Sequence, residues 1–125
     1  MSEAQILKDV LELCHAHPAV KRAWRQNSGM ANIGGRYVRF GEEGHADVHG
    51  FLKSGRFFAI ECKRLRERAT KSQQTFLDDV KAAGGISGIA RSAEDAKAIL
   101  DSAVPRETLQ NARKSRKRLS KAHAR

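Results

Sequence analysis

Residues 56–63 read RFFAIECK, an apolar run that ends in an acid, a thiol and a lysine. Its length and its Phe and Ile content predict a buried β-strand. Residues 71–83 follow with apolar side chains at helical spacing, behind a capping sequence that begins at Thr70. Residues 86–90 are another short apolar run. A strand, a helix and a strand in this order predict two parallel strands joined by a right-handed crossover.

The remaining elements are short. Residues 3–16 have an apolar stripe at helical spacing, and a further helix is predicted after Ser92, where Asp95 completes a capping signal. Three more strands are predicted, over residues 20–31, 37–40 and 45–52. The sequence therefore predicts an α/β fold in which a small mixed sheet is flanked by helices. This domain spans residues 1–104 and precedes a basic tail over residues 105–125.

The positive charge is unevenly distributed. The chain has 125 residues and a net charge of +10, of which residues 1–100 contribute +4 (sixteen Lys and Arg against twelve Asp and Glu) and residues 101–125 contribute +6 (eight against two). Such an excess favours polyanionic partners such as nucleic acid. The two cysteines, the absence of a signal-like leader and the absence of a long apolar run predict a soluble intracellular protein without disulfides or a membrane partner.

The turn at residues 53–55 determines which side chains share a face of the sheet. A two-residue turn would place Asp47 and Glu61 on opposite faces. A three-residue turn, for which Gly55 is well suited, pairs Leu52 with Arg56 and places Asp47 opposite Glu61. In that register one face of the strand pair is almost wholly apolar. Asp47, Glu61 and Lys63 then converge on the other face, away from the main core.

Two carboxylates on one face repel each other unless a cation joins them. Oxygen ligands of this kind suit Mg²⁺ or Mn²⁺, and the backbone carbonyl of Cys62 is a further possible ligand. Lys63 can hold an attacking water or neutralise charge on a phosphate. These residue types predict phosphodiester hydrolysis. The competing interpretation is an ordinary exposed strand edge that carries Glu61 and Lys63.

Four motifs occur in a characteristic order, and together they resemble the VRR-NUC family of the PD-(D/E)XK nuclease superfamily. The likeness covers approximately residues 3–100, including Gly84-Gly85 and the last helix. Ala46 departs from the pattern, since the superfamily name expects proline there. The motifs are Arg25-Gln26-Asn27-Ser28-Gly29, Gly44-His45-Ala46-Asp47, Ile60-Glu61-Cys62-Lys63-Arg64 and Thr70-Lys71-Ser72-Gln73 with Phe76-Leu77.

The resemblance implies a restriction-endonuclease-like fold and metal-dependent cleavage of DNA in the cytoplasm of a bacterium or a phage-infected cell. It implies that Asp47 and Glu61 bind Mg²⁺ or Mn²⁺, that Lys63 is catalytic and that Gln73 assists. Glu3 matches the family's acid on the first helix, although Glu12 lies on that helix too. Small members resemble homodimeric resolvases of four-way (Holliday) junctions. A flap or nicking nuclease and a non-catalytic DNA-binding module remain alternatives.

Several other residues are predicted to contact DNA, each with a plainer alternative. Asn27 and Ser28 either form hydrogen bonds within a turn or contact phosphate, and Gln73 alone would read as part of a helix cap. The histidines and Cys14 lack the paired spacing of a zinc site. The tail is a disordered segment, a helix or a DNA-binding arm. The remaining candidates are His49, Arg64, Arg66, Arg68 and Lys71, and Arg113, Lys114, Arg116, Lys117 and Arg118 in the tail.

Overall fold

The structure, a computed structural model, describes residues 1–26, 29–40 and 44–103, with the backbone alone for residues 29–31 and 38–40. It contains a mixed four-stranded sheet flanked by helices, in the strand order β1-β4-β5-β6, and a separate two-stranded ribbon formed by β2 and β3. The elements are α1 (Glu3–Ala16), β1 (Val20–Arg25), β2 (Gly29–Ile33), β3 (Arg36–Phe40), β4 (Val48–Leu52), β5 (Phe57–Cys62), α2 (Lys71–Ala82), β6 (Ile86–Ala90) and α3 (Ala93–Asp101).

The predicted register of the central hairpin is confirmed. Strand β4 pairs antiparallel with β5, and Phe51 lies opposite Phe57. The turn between them has three residues, since the N–H of Leu52 donates to the carbonyl of Arg56 and Gly55 has a φ of 90°. Only glycine adopts that conformation without strain, so residue 55 selects this turn over a two-residue one.

The sheet has a core on each face. Helices α1 and α3 cover the face that carries Val48, Phe58 and Ile60, which forms the larger core. Helix α2 covers the opposite face through Leu77 and Val80. The predicted parallel pairing of β5 with β6 is confirmed, so the βαβ unit forms as expected. Glu61 lies on the α2 face, away from the larger core, as the register requires.

Both thiols belong to the larger core. Cys14 on α1 and Cys62 on β5 are fully buried and unoxidised. Burial raises the pKa of the Cys14 thiol to about 12, and burial together with Asp47 and Glu61 raises the pKa of the Cys62 thiol as well. The two cysteines therefore act as small apolar core residues, which agrees with the predicted lack of a disulfide framework.

Helix capping follows the sequence. Thr70 and Gln73 form a complete capping box at α2, which ends beside the predicted stop signal at Gly84. Ser92 caps α3 by accepting the N–H of Asp95. No helix in the described ranges is long and apolar enough to cross a membrane.

Two predicted strand boundaries are wrong. A single strand over residues 20–31 is replaced by β1, which joins the main sheet, and β2, which pairs only with β3. The strand expected from residue 45 begins at Val48, because the next ladder position of β5 is taken by a side chain: the N–H of Cys62 donates to Asp47 Oδ2. Residues 27, 28, 41–43 and 104–125 lie outside the described residues, and with them the predictions made for Asn27, Ser28 and the tail over residues 105–125.

The lack of a side chain at Gly50 lets β1 and the Phe58 ring of β5 approach β4 closely, which gives a first prediction. A β-carbon there would lie 2.4 Å from the carbonyl oxygen of Arg22 and 2.4 Å from the Phe58 ring. We expect Gly50→Ala to lower the free energy of unfolding by about 2 kcal/mol or more, because both neighbours would have to move. Urea denaturation followed by circular dichroism tests this. An unchanged midpoint would show that the sheet accommodates the methyl group.

Candidate metal centre

Asp47 ends the ladder between β4 and β5. If the hydrogen-bond pattern of the antiparallel ladder continued by one more bonded pair, the N–H of Cys62 would donate to the carbonyl of Ala46. It donates instead to Asp47 Oδ2, at 2.9 Å, while the backbone carbonyl of Asp47 accepts the N–H of Gln26 at 2.8 Å. The carboxylate is thereby held by β5 and the backbone by the end of β1. One oxygen of this side chain is fixed beside Glu61 at the edge of the sheet.

Three carboxylates meet at this edge. One oxygen from each of Glu3, Asp47 and Glu61 lies within 4.8 Å of the others, and no other such acid, histidine or cysteine cluster occurs in the described parts of the chain. Glu3 reaches the cluster because it lies in the first turn of α1, which Ser2 caps by accepting the N–H of Gln5. The partial positive charge of a helix N-terminus favours a carboxylate at this position.

The choice between Glu3 and Glu12 follows from the geometry of α1. The buried stripe of this helix is Ile6, Val10 and Cys14, and Glu3 continues it by one turn. Glu12 is nine residues further along, which is about half a revolution at 100° per residue. It therefore lies on the exposed side of the helix, away from the cluster.

Glu61 is a buried acid in poor surroundings for a negative charge. Its side chain is 2% exposed, its neighbour across the parallel pair is Ile89, and its Oε2 has no hydrogen-bond partner among the described residues. Burial and the adjacent Asp47 raise the pKa of Glu61 to about 8, an effect that the Lys63 ammonium only partly offsets. The orphaned oxygen, with two acids beside it, fits a site that is completed by a divalent cation.

Lys63 and Gln73 complete the surroundings of Glu61. Lys63 Nζ lies 3.7 Å from Glu61 Oε1, and the lysine is itself largely buried. Gln73 Nε2 donates to the same oxygen at 3.2 Å, while Gln73 Oε1 accepts the N–H of Thr70 at 2.9 Å. The two interpretations of Gln73 are therefore compatible, because one amide both closes the helix cap and orients the carboxylate. The Cys62 carbonyl remains a predicted ligand.

His49 lies next to the site but inside an aromatic cluster. Its ring stacks on Phe76 at 5.4 Å, lies 5.3 Å from the ring of His45 and makes an edge contact with Trp24. Burial and His45 lower the pKa of His49 to about 4, so this side chain is neutral at physiological pH. Since His49 is buried, its position does not support the predicted DNA contact. Among the described residues, the acidic cluster at the end of β5 is the one group of possible metal-ligating side chains, and it contains no histidine.

The basic loop between β5 and α2 is exposed but held in place. Arg64, Arg66, Arg68 and Lys71 all reach solvent, and Arg64 is paired with Glu67. The loop backbone is fastened by Arg91, whose guanidinium donates to the carbonyls of Leu65 and Glu67 at 3.1 and 2.8 Å. Sequence reasoning missed Arg91, which follows the last strand in a segment without a motif.

A cleft of about 290 Å³ opens beside the carboxylates. Glu3, Ala4, Leu7, Arg25 and Asp47 line it, so an exposed arginine shares the opening with two of the acids. Arg25 was present in one of the motifs behind the family resemblance but was assigned no role. A guanidinium at the mouth of an acidic site is suited to a phosphate that approaches a bound cation.

Comparisons of the chain with models of known protein families, with curated proteins and with solved structures find no match. The chemistry of the site is therefore inferred from the residues around Glu61. That arrangement consists of three carboxylates, one ammonium group and one amide at the end of a buried strand.

The buried charge of Glu61 gives a second prediction. Its pKa is raised from 4.5 to about 8, so the stability associated with the protonated form is present at low pH and is lost as the pH rises through that interval. Asp47 and Glu3 oppose its ionisation, and Lys63 favours it. We expect Glu61→Gln to raise the thermal midpoint of unfolding in EDTA. The gain should grow between about pH 5 and about pH 8, the interval bounded by the two pKa values.

The same experiment with Mg²⁺ or Mn²⁺ provides the contrast. The wild-type protein should gain stability from the cation, whereas Glu61→Gln should gain much less because a ligand is missing. The matched control is Glu12→Gln, which removes an exposed acid from α1, the helix that contributes Glu3 to the cluster. Its thermal midpoint should equal that of the wild type both in EDTA and with the cation. A variant at Glu61 that is less stable than wild type in EDTA at pH 8 would contradict this account.

Proposed function

We propose that the protein is a metal-dependent endonuclease with a restriction-endonuclease-like, PD-(D/E)XK core of the VRR-NUC type, and that it hydrolyses phosphodiester bonds in DNA. The observation that carries the proposal is the meeting of Glu3, Asp47 and Glu61, in which Glu61 keeps one oxygen without a partner and has Lys63 and Gln73 against the other. An ordinary exposed strand edge would not explain why Glu3, from a different element, lies beside Asp47 and Glu61. The resemblance of the ordered motifs points to the same chemistry.

The donor set favours Mg²⁺ or Mn²⁺ as the cofactor. All three side chains offer carboxylate oxygens, which hard cations prefer, and the described cluster contains no thiolate or imidazole that would select zinc. When bound, such a cation supplies positive charge that polarises a phosphate and acidifies a water molecule. The Cys62 carbonyl is a proposed additional ligand.

The protein's own residues have distinct roles in this proposal. Gln73 holds Glu61 in one orientation, and Asp47 is held by the Cys62 N–H, so two ligands are positioned before any substrate arrives. Lys63 is buried beside them, where its ammonium can orient an attacking water and stabilise the charge that develops on the phosphate. Arg25 lies at the cleft opening and is placed to contact a phosphate oxygen.

DNA is the proposed substrate because exposed cations lie between two residues of the site in the chain. Arg66 and Arg68 lie on the loop that follows Lys63, and Lys71 begins α2 two residues before Gln73. Contacts of this kind bind the phosphate backbone without reading sequence. Cleavage of branched DNA such as four-way junctions, by a homodimer that brings two sites to two strands, is part of the proposal and follows from the family resemblance.

A third prediction uses the two acids on opposite sides of α1. Glu3→Gln should weaken Mg²⁺ binding by roughly tenfold or more and reduce DNA cleavage accordingly, whereas Glu12→Gln should match the wild type. Asp47→Asn, Glu61→Gln and Lys63→Ala should each lower the cleavage rate on the order of 100-fold or more. Isothermal titration with Mg²⁺ measures the affinity, and gel assays of labelled DNA measure the cleavage rate.

The control for folding is the thermal midpoint of each variant in EDTA. Cleavage by the Asp47→Asn and Glu61→Gln variants at the wild-type rate would refute the proposed site. Salt-sensitive DNA binding by the wild type with no cleavage in Mg²⁺, Mn²⁺ or Co²⁺ would instead identify a non-catalytic DNA-binding module on the same fold.

A fourth prediction concerns the shape of the DNA. With Mg²⁺, we expect a four-way junction to be cut faster than a linear duplex of the same sequence. The panel also contains a flap, a splayed arm and a nicked duplex, each end-labelled and supplied at equal concentration. Preferential cutting of the flap, or single nicks in plain duplex, would replace the junction-resolving activity with a flap or nicking nuclease.

A further inference from the structure

The ribbon of β2 and β3 is built unlike the rest of the protein. Its strands pair with each other and with no strand of the main sheet, and a two-residue turn at Gly34 and Gly35 forms its tip. All six residues from 32 to 37 are exposed, including Ile33 at 63% and Tyr37 at 73%. The described side chains of the ribbon therefore lie in water and leave a surface available for a partner.

The register places these side chains on both faces of the tip. Asn32 lies opposite Tyr37, and Ile33 lies opposite Arg36. Because paired residues of an antiparallel ladder share a face, Tyr37 and Ile33 lie on opposite faces. Each face of the tip thus presents one large apolar or aromatic side chain with a polar or cationic one beside it.

The charge around the ribbon suits a polyanion. No Asp or Glu occurs between Glu12 and Glu42, a stretch that contains β1 and the whole ribbon. The same stretch contains five cations, which are Lys21, Arg22, Arg25, Arg36 and Arg39. An aromatic side chain combined with cations is typical of surfaces that bind single-stranded nucleic acid.

The described residues on either side of the ribbon lie close to the candidate metal centre. Before the ribbon, the N–H of Gln26 donates to the Asp47 carbonyl, three residues before β2 begins. After it, Gly44 packs against α2 so closely that a β-carbon there would lie 2.7 Å from the carbonyl oxygen of Ser72, the neighbour of Gln73. The segment that contains the ribbon is therefore flanked by one residue bonded to a candidate ligand and one packed beside the start of α2.

We propose that the tip of the ribbon binds unpaired DNA of a substrate held at the metal centre, with Tyr37 on one face stacking on a base and Arg36 on the other face contacting the backbone. This inference rests on the proposed nuclease function and adds one feature of its substrate, which is unpaired bases several nucleotides from the cleaved bond, such as those exposed where the arms of a junction open. Stacking tolerates any base, so the tip recognises strand separation and reads no sequence. A strand of five residues spans about 17 Å, enough to reach several nucleotides from the site.

Binding measurements without cleavage test the proposal. Fluorescein-labelled splayed-arm DNA and a blunt duplex of the same length are titrated in Ca²⁺, and anisotropy gives the dissociation constants. We expect Tyr37→Ala to weaken binding of the splayed arm on the order of 5- to 150-fold, with little effect on the duplex. Tyr37→Phe keeps the ring and should bind as the wild type does. Arg36→Ala should weaken both DNAs about equally and lower the salt dependence by about one charge.

Lys81→Ala is the matched control, because it removes an exposed cation at the end of α2 remote from Gln73. The inference is overturned if Tyr37→Ala binds both DNAs as the wild type does, if it weakens both equally, or if Tyr37→Phe loses as much affinity as Tyr37→Ala. Cleavage in Mg²⁺ is scored separately. Binding that depends on Tyr37, without cleavage, would refute the nuclease function and support DNA binding by the ribbon. Cleavage together with binding that does not depend on Tyr37 would support the nuclease function and refute DNA binding by the ribbon.

Discussion

The hydrogen bond from the Cys62 N–H to Asp47 Oδ2 is the interaction on which the rest of the arrangement depends. At one ladder position a side chain replaces a backbone carbonyl, and the pairing of β4 with β5 stops at Val48 and Ile60. Glu3 from α1 meets Asp47 and Glu61 there, and the Asp47 carbonyl accepts the N–H of Gln26 at the end of β1. Three elements distant in sequence thus converge on one residue that is at once a sheet terminus and a candidate ligand.

Gln73 links folding to the site in a similar way. Its carbonyl oxygen closes the capping box of α2, and its amide nitrogen supports Glu61. The helix therefore cannot begin at a different residue without releasing the carboxylate. This order is opposed by the burial of Glu61 and by its repulsion from Asp47, which together raise the pKa of Glu61. A site of this kind is held by capping and strand pairing against its own electrostatics, which is typical of functional sites that are less stable than their surroundings.

Local signals predicted most of the fold because each is read over a few residues. Apolar spacing located α1, α2 and β5, the caps at Thr70 and Ser92 located two helix starts, and Gly55 determined the register. The position of Glu3 also followed from helical spacing, once the buried stripe of α1 was known. What failed depends on distant partners. The polar alternation of residues 20–31 does not reveal that β2 leaves the main sheet, and nothing near Arg91 indicates that it fastens a loop 24 residues away.

The two buried thiols have a practical consequence for following how this protein opens. Neither Cys14 nor Cys62 ionises readily or meets solvent, so an alkylating reagent reaches them only after the surrounding structure has separated. Cys62 lies between Glu61 and Lys63, and Cys14 lies at the far end of α1 from Glu3. Their separate labelling rates therefore report opening at the end of β5 and at the end of α1. The natural sequence already contains both probes, one in each layer of the larger core.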